Sequence, residues 1–414
     1  MNNESKKIRV LHTSDWHLGR SLYDRKRYDE FASFLNWLYD FIVAQRIDVL
    51  LIAGDIFDTT TPGNRAQELY YQFLSKTSKS CCRHIIVTGG NHDSPSFLNA
   101  PKDLLKALDV HVVGEITENI EQEVIVLKNN QGEAEAVVCA VPFLRDRDVR
   151  KVEAGESIED KNRKLVTGIA VHYSDVANAA RHFNDSNPVP IIGMGHLFTS
   201  RGKVNEGDGV RDLYVGTLQS IDAGIFSDKF DYVALGHLHM AQKVDGNDKI
   251  RYSGSPLPMS FSEADQQKKV IVIEFENLTI SVTEHDIPCF QKLIRVSGNF
   301  DSVKGKVTEL ANINENLWLE IEILDSSSSG TITEELDEII KNSPIEILRI
   351  KNSGLRNNVL MASTENETLD DLNELDVFNR CLEINNIPEE EQNQLIETYK
   401  EVLLSLRQED TNKN

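Results

Sequence analysis

The sequence predicts an α/β protein, and three observations carry the prediction. Short apolar runs alternate with amphipathic helical patterns through the first two hundred residues. Five of those runs end in a tight cluster of Asp, Asn or His. Hydrophobic content of 40% and charged content of 27% belong to a folded globular chain, and 414 residues leave room for two or three domains.

Residues 8–14 read as the first strand. Residues 28–45 read as a helix, with Phe31, Phe34, Leu35, Leu38, Phe41 and Ile42 on one face at helical spacing. Residues 48–53 form a short apolar strand, 64–78 a helix and 83–88 another strand. Such alternation is that of parallel βαβ units. Further strands are expected at 110–113, 123–128, 136–141, 189–194 and 231–235, with a polar helix over 161–183. Beyond residue 290, strands at 291–297, 316–324 and 344–351 and helices at 301–311 and 332–342 make a small α+β domain. Residues 365–414 carry two amphipathic helices. One presents Leu372, Leu375, Phe378 and Leu382; the other follows Pro388 and presents Leu395, Ile396, Tyr399, Val402, Leu403 and Leu406. The expected domains are 1–287, 288–364 and 365–414.

The five clusters are Ser14-Asp15-Trp16-His17, Gly54-Asp55-Ile56-Phe57-Asp58, Gly90-Asn91-His92-Asp93, Gly195-His196 and Gly236-His237-Leu238-His239. Each follows a strand, and ligands collect at the carboxyl ends of strands in α/β sheets. Asp15 and His17 are two residues apart, as are His237 and His239. On an extended backbone each pair points one way, with Cα atoms roughly 6.6 Å apart. That suits two cations about 3.5–4 Å apart, a device for cleaving phosphate esters. Glycines 54, 90, 195 and 236 allow a sharp turn before each ligand. Without cysteine the donor set is nitrogen and oxygen, which fits manganese, iron or zinc. Asp55 is the candidate bridge between the ions, and Asn91 offers a neutral oxygen. His92 fits a proton donor to the leaving group, with Asp93 as its orienting partner. Asp58 either caps the following turn or supports the centre. One histidine after a strand is usually structural, and histidines 12, 84, 111, 172, 182 and 285 keep that reading.

A net charge of −22 argues against nucleic acid. Its distribution weakens the objection, because residues 365–414 hold fourteen Asp/Glu against four Lys/Arg. Two divalent ions beside Asp15 and Asp55 make the centre locally cationic. Arg251 and Lys203 read as solvated surface residues rather than DNA contacts. Five scattered cysteines without C-x-x-C spacing fit a reducing, cytoplasmic setting, and no leader or membrane-spanning pattern is expected. No G-x-x-x-x-G-K-[ST] loop is present, so any ATP dependence belongs to another subunit.

The five clusters resemble the signature of calcineurin-like metallophosphoesterases. More narrowly, the chain is similar over nearly its whole length to the bacterial nuclease subunits of the SbcD family, relatives of the meiotic-recombination nuclease. The narrower likeness rests on residues 13–19, 53–59, 141–145 and 252–261. The resemblance implies a β-sandwich flanked by helices, a small α+β capping domain that helps place DNA, and a helical tail that docks on a partner. It implies Asp15, His17, Asp55 and His239 around one ion, and Asp55, Asn91, His196 and His237 around the other, with manganese preferred. His92 takes the place of the catalytic histidine and Asp58 a supporting position. The implied activities are a 3′–5′ exonuclease on double-stranded DNA and an endonuclease at hairpins and blocked ends. They serve DNA repair, recombination and replication. The implied assembly is a heterotetramer with an SbcC-type ATPase, with a homodimer contact through the nuclease domain. Met240 stands where a basic residue is more usual. The rival readings are a metallophosphatase or cyclic nucleotide phosphodiesterase on the same scaffold, and a non-catalytic scaffold subunit.

Overall fold

The computed structural model describes residues 7–150, 153, 155–184, 188–199, 221–276, 279–325 and 332–353, with positions 382, 392, 395, 396 and 399. Lys203 and the two tail helices as read from sequence lie outside the described residues, apart from those last isolated positions. The chain divides into two compact units, Met1–Lys292 and Leu293–Asn414.

Two six-stranded sheets build the first unit. In the first sheet Lys7–Thr13, Val49–Ala53, His84–Thr88 and Val110–Val113 run parallel, as the βαβ pattern predicts. Two strands not anticipated from sequence, Lys269–Glu276 and Thr279–Asp286, extend it antiparallel beyond Lys7–Thr13. The second sheet runs Gln242–Val244, Asn247–Tyr252, Tyr232–Gly236, Ile191–His196, Ala134–Ala140, Val124–Lys128, with its four central strands parallel.

Strand alternation sorts the apolar residues into layers. Leu50 and Ile52 pack with Phe31, Phe34 and Leu38 of helix Tyr28–Gln45 and with Leu69 and Phe73 of helix Asn64–Thr77. Val49 and Leu51 face the other way, onto Val138, Ile192 and Ala234 of the second sheet. The outer face of that sheet packs on Ile169, Tyr173 and Val176 of helix Ile158–Asn184. The result is helix, sheet, sheet, helix. His12 crosses between the sheets, its two ring nitrogens 3.0 Å from Tyr232 Oη and 3.1 Å from the Leu235 carbonyl. Burial presses its pKa down to about 3, so it is a neutral structural group.

In the second unit, strands Lys292–Gly298, Leu317–Ile323 and Ile345–Asn352 form one sheet, and helices Phe300–Ile313 and Ile332–Ile340 share its core. Buried Glu320 is surrounded by Arg295, Arg349 and Lys351, which offset the cost of burying its charge. Among the described residues no helix is long and apolar enough to cross a membrane.

Candidate metal centre

The five clusters meet where the parallel strands of both sheets end. Asp15, His17, Asp55, Asn91 and His92 leave the first sheet, and His196, His237 and His239 leave the second. The loops after Lys7–Thr13 and Val49–Ala53 prolong the strand pairing. Asp15 N donates to the Gly54 carbonyl at 3.0 Å, His17 N to the Asp55 carbonyl at 3.0 Å and Leu18 N to the Ile56 carbonyl at 2.9 Å.

The backbone at these residues is not extended. Asp15 (φ 53), His17 (φ 46), Asp55 (φ 50) and His237 (φ 102) all have positive φ, a costly conformation for residues with a Cβ. Same-side projection from an extended strand is therefore replaced by left-handed turns that aim each side chain inward. The glycine reading also needs correction. Gly54 alone of the four has positive φ, at 83. Gly90 and Gly236 are required for space, because a Cβ would overlap Asp55 at the first and the Ala53 carbonyl at the second.

Two imidazoles are held from behind by a hydrogen bond and a third lies near a carboxylate, each with Nε2 turned inward. His196 Nδ1 donates to the Ala53 carbonyl at 3.0 Å. His239 Nδ1 donates to Glu263 Oε1 at 3.1 Å, and His17 Nδ1 lies 3.4 Å from Asp58 Oδ1. Such partners fix the tautomer and leave a lone pair on the inner nitrogen. His196 Nε2 then faces Asn91 Oδ1 at 2.9 Å and Asp55 Oδ2 at 3.3 Å. His17 Nε2 faces His239 Nε2 at 3.2 Å and Asp55 Oδ2 at 3.6 Å. His237 Nδ1 lies 3.0 Å from the same Asn91 oxygen, while Asn91 Nδ2 is buried without a partner. Lone pairs converging on lone pairs repel unless a positive charge sits among them.

The electrostatics agree. Burial opposes charge on His196, yet Asp55 and Asp15 raise its pKa to about 9, so without a metal the carboxylates draw a proton onto the inward nitrogen where a cation would otherwise sit. Burial works against ionised Asp55, but His196, His17 and His92 hold its carboxyl well below the ordinary range. Burial raises Asp15 and lowers His237 to about 3. Two triads, Asp15–His17–His239 and Asp15–Asp55–His196, each bring three donor atoms within 4.8 Å of one another. The residues present fit a pair of divalent cations.

The structure redistributes the supporting roles. Asp93 does not orient His92. Its carboxylate accepts from the backbone of Ile56, Phe57 and Gly90 at 3.1, 3.0 and 2.9 Å, pinning the two ligand loops together. His92 Nδ1 donates instead to the Asp58 carbonyl at 2.8 Å, and the His92 amide donates to Asp55 Oδ1 at 2.8 Å. The Asp58 carboxylate also takes Arg20 at 3.0 Å. Ser94 caps the helix that follows, accepting from Phe97 N. Arg251 is buried on Glu284 and Asp248, so it is a structural cation rather than a solvated one.

Sequence reading missed Glu263. It is fully buried, accepts from His239 and Lys268, and also takes Met259 N at 3.1 Å. Burial opposes its charge, but Lys268 and His239 bring its pKa down to about 2. Glu263→Gln is expected to weaken metal affinity about 10–100-fold, measured by titration of the metal-stripped protein. A folded pKa below the ordinary 4.5 adds stability above that value, which is lost as pH falls toward 2. The urea midpoints of wild type and variant should therefore differ at neutral pH and converge in acid.

A model described as calcineurin-like phosphoesterase matches residues 8–241, and one described as type 5 capsule protein repressor C-terminal domain matches residues 289–386. The chain is similar to the SbcD component of the SbcCD nuclease of Escherichia coli strain K12, 33% identical over 402 residues, 96% of this chain and 98% of that protein. It is 34% identical to the Rhodobacter capsulatus counterpart over 273 residues, 64% of this chain and 66% of that protein. The Bacillus subtilis counterpart is 34% identical over 269 residues, again 64% and 66%.

Proposed function

The chain belongs to the calcineurin-like phosphoesterases, and within them to the SbcD nuclease subunits, and from that premise we propose that it hydrolyses phosphodiester bonds in double-stranded DNA with an SbcC-type ATPase as partner. The observation that supports this reading best is the gathering of seven inward donor residues from two sheets, with the Asp55 carboxylate against both His17 and His196. In this reading Asp15, His17, Asp55 and His239 hold one ion and Asp55, Asn91, His196 and His237 the other. Manganese is the preferred metal in this reading on the family resemblance, since the nitrogen and oxygen donors by themselves suit manganese, iron and zinc alike. Two divalent cations held by these residues would supply an activated water and positive charge for the phosphate.

The protein's own groups do the rest. Glu263 keeps His239 in the ligating tautomer, and the Asp58 carboxylate lies behind His17. Asp93 locks the loops that carry Asp55 and Asn91. With Nδ1–H held by the Asp58 carbonyl, His92 donates from Nε2 only as the doubly protonated imidazolium, giving that second proton to the departing oxygen and remaining as the neutral Nδ1–H imidazole. The proposed activities are 3′–5′ digestion of duplex ends and cutting at hairpins, in repair, recombination and replication. The 288–364 domain is proposed to help place DNA and the 365–414 tail to dock on the ATPase, in a heterotetramer of two copies each. End-labelled duplex and hairpin DNA, digested with and without the ATPase partner across metals, tests the reading. Preference for a small phosphomonoester or cyclic nucleotide over both DNAs overturns it.

The proposed homodimer contact has a physical candidate. Tyr71, Phe97, Pro101, Leu104, Leu105 and Leu108 line an open apolar hollow of about 600 Å³, with Leu104 72% exposed. Burying one leucine contributes about 1.5–3 kcal/mol. Leu104→Asp should therefore weaken the dimer by roughly 10–100-fold in Kd, read by sedimentation across a concentration series.

A further inference from the structure

A second cluster of ligating side chains lies outside the centre just described. His84 opens the strand His84–Thr88, and Asp109 and His111 lie at the start of the neighbouring edge strand Val110–Val113. The register pairs Ile86 with His111, so His84 and His111 project from one face of the sheet as diagonal neighbours. One ligand atom from each of His84, Asp109 and His111 lies within 4.8 Å of the others.

The independent sign is the state of His84. Its Nε2 lies 3.0 Å from the Lys128 carbonyl, which can only accept, so Nε2 carries the hydrogen. Nδ1 is then left with a bare lone pair, and it is buried without a hydrogen-bond partner. A backbone carbonyl behind one imidazole nitrogen and a vacant lone pair on the other is the arrangement that supports a metal-ligating histidine. Asp109 adopts φ 56 and its carboxylate is exposed, while His111 is half-buried, so the cluster opens to solvent on one side. The surrounding charges are mixed. Lys106 faces His111, and Glu135 lies 4.0 Å from His84 but is engaged by Arg83.

We propose that His84, Asp109 and His111 form a third divalent-metal site, separate from the proposed catalytic pair, which takes a borderline ion such as Zn²⁺. Two imidazoles and one carboxylate with an open fourth position match zinc's donor and coordination preferences. Such an ion ties the edge strand to its neighbour at the end of the sheet opposite the nuclease centre.

The test is a metal count on the full-length protein after equilibration with Zn²⁺ and removal of free ion. Wild type is expected to retain one more Zn²⁺ per chain than His111→Asn or Asp109→Asn, with nuclease activity unchanged in both variants. The extra ion should also raise the wild-type melting temperature relative to these variants. His84→Gln is the third variant; because His84 is buried it risks misfolding, and the two exposed-side variants keep the test decisive. Equal zinc counts in wild type and both variants overturn the site. The comparison is a difference between chains with the same nuclease centre, so it stands whether or not that centre holds two ions.

Discussion

Asp55→Asn is expected to lower nuclease turnover by on the order of 10³-fold or more. The carboxylate is the group shared between the two halves of the centre, with Oδ2 3.3 Å from His196 and 3.6 Å from His17. Asparagine is the same size and still offers an oxygen to the His92 amide, so the loop keeps its shape. What it removes is the negative charge that, in the proposed two-ion reading, lets the cations approach one another. Metal-derived stabilisation of a phosphoryl transition state amounts to several kcal/mol, and each 1.36 kcal/mol is a factor of ten in rate. Turnover of end-labelled duplex and the number of ions retained per chain should fall together. Activity within tenfold of wild type would remove Asp55 from the bridging role.

The second large effect is expected at His92. His92→Ala should reduce kcat by about 10²–10⁴-fold, the usual span for a lost proton donor. Ion content should stay at the wild-type level, since His92 meets the centre through its backbone amide as well as its ring. The leaving group separates a proton donor from a structural residue. A phosphodiester that expels nitrophenolate needs no proton, so its turnover should fall far less than that of DNA. Equal losses on both substrates would mean that His92 positions the loop and does not donate.

Much of this was legible in the sequence because it rests on periodicity and on clustered ligands. The helix from Tyr28 shows its buried face every three or four residues, and runs such as Val49–Ala53 are too short and too apolar for anything but interior strands. The outer hairpin was harder. Thr279–Asp286 reads T-I-S-V-T-E-H-D, exposes five of its eight residues and buries none fully, so little in it marks a sheet strand until Lys269–Glu276 lies beside it. Local conformation was illegible at Asp15, His17 and Asp55, because left-handed backbone at a non-glycine residue is imposed by the converging loops and not by residue preference. Supporting contacts were also hidden. Nothing in the stretch around Glu263 announces that it reaches His239 twenty-four residues earlier, and Asp93 beside His92 suggested a pair that the backbone amides of Ile56 and Phe57 claim instead.

The ligands come from two sheets whose shared interior is filled by side chains such as Val49, Leu51, Ile192 and Ala234. Slippage of one sheet past the other by a single ångström would leave every strand intact yet pull His196 and His237 out of reach of Asp55 and Asn91. Misplacement on that scale can cost about 10²-fold in rate. The catalytic rate is thus a displacement gauge for the sandwich, sensitive to creep of about an ångström between its halves. Conservative repacking deep in the interlayer should register there as lost activity well before calorimetry or circular dichroism detects a weaker fold.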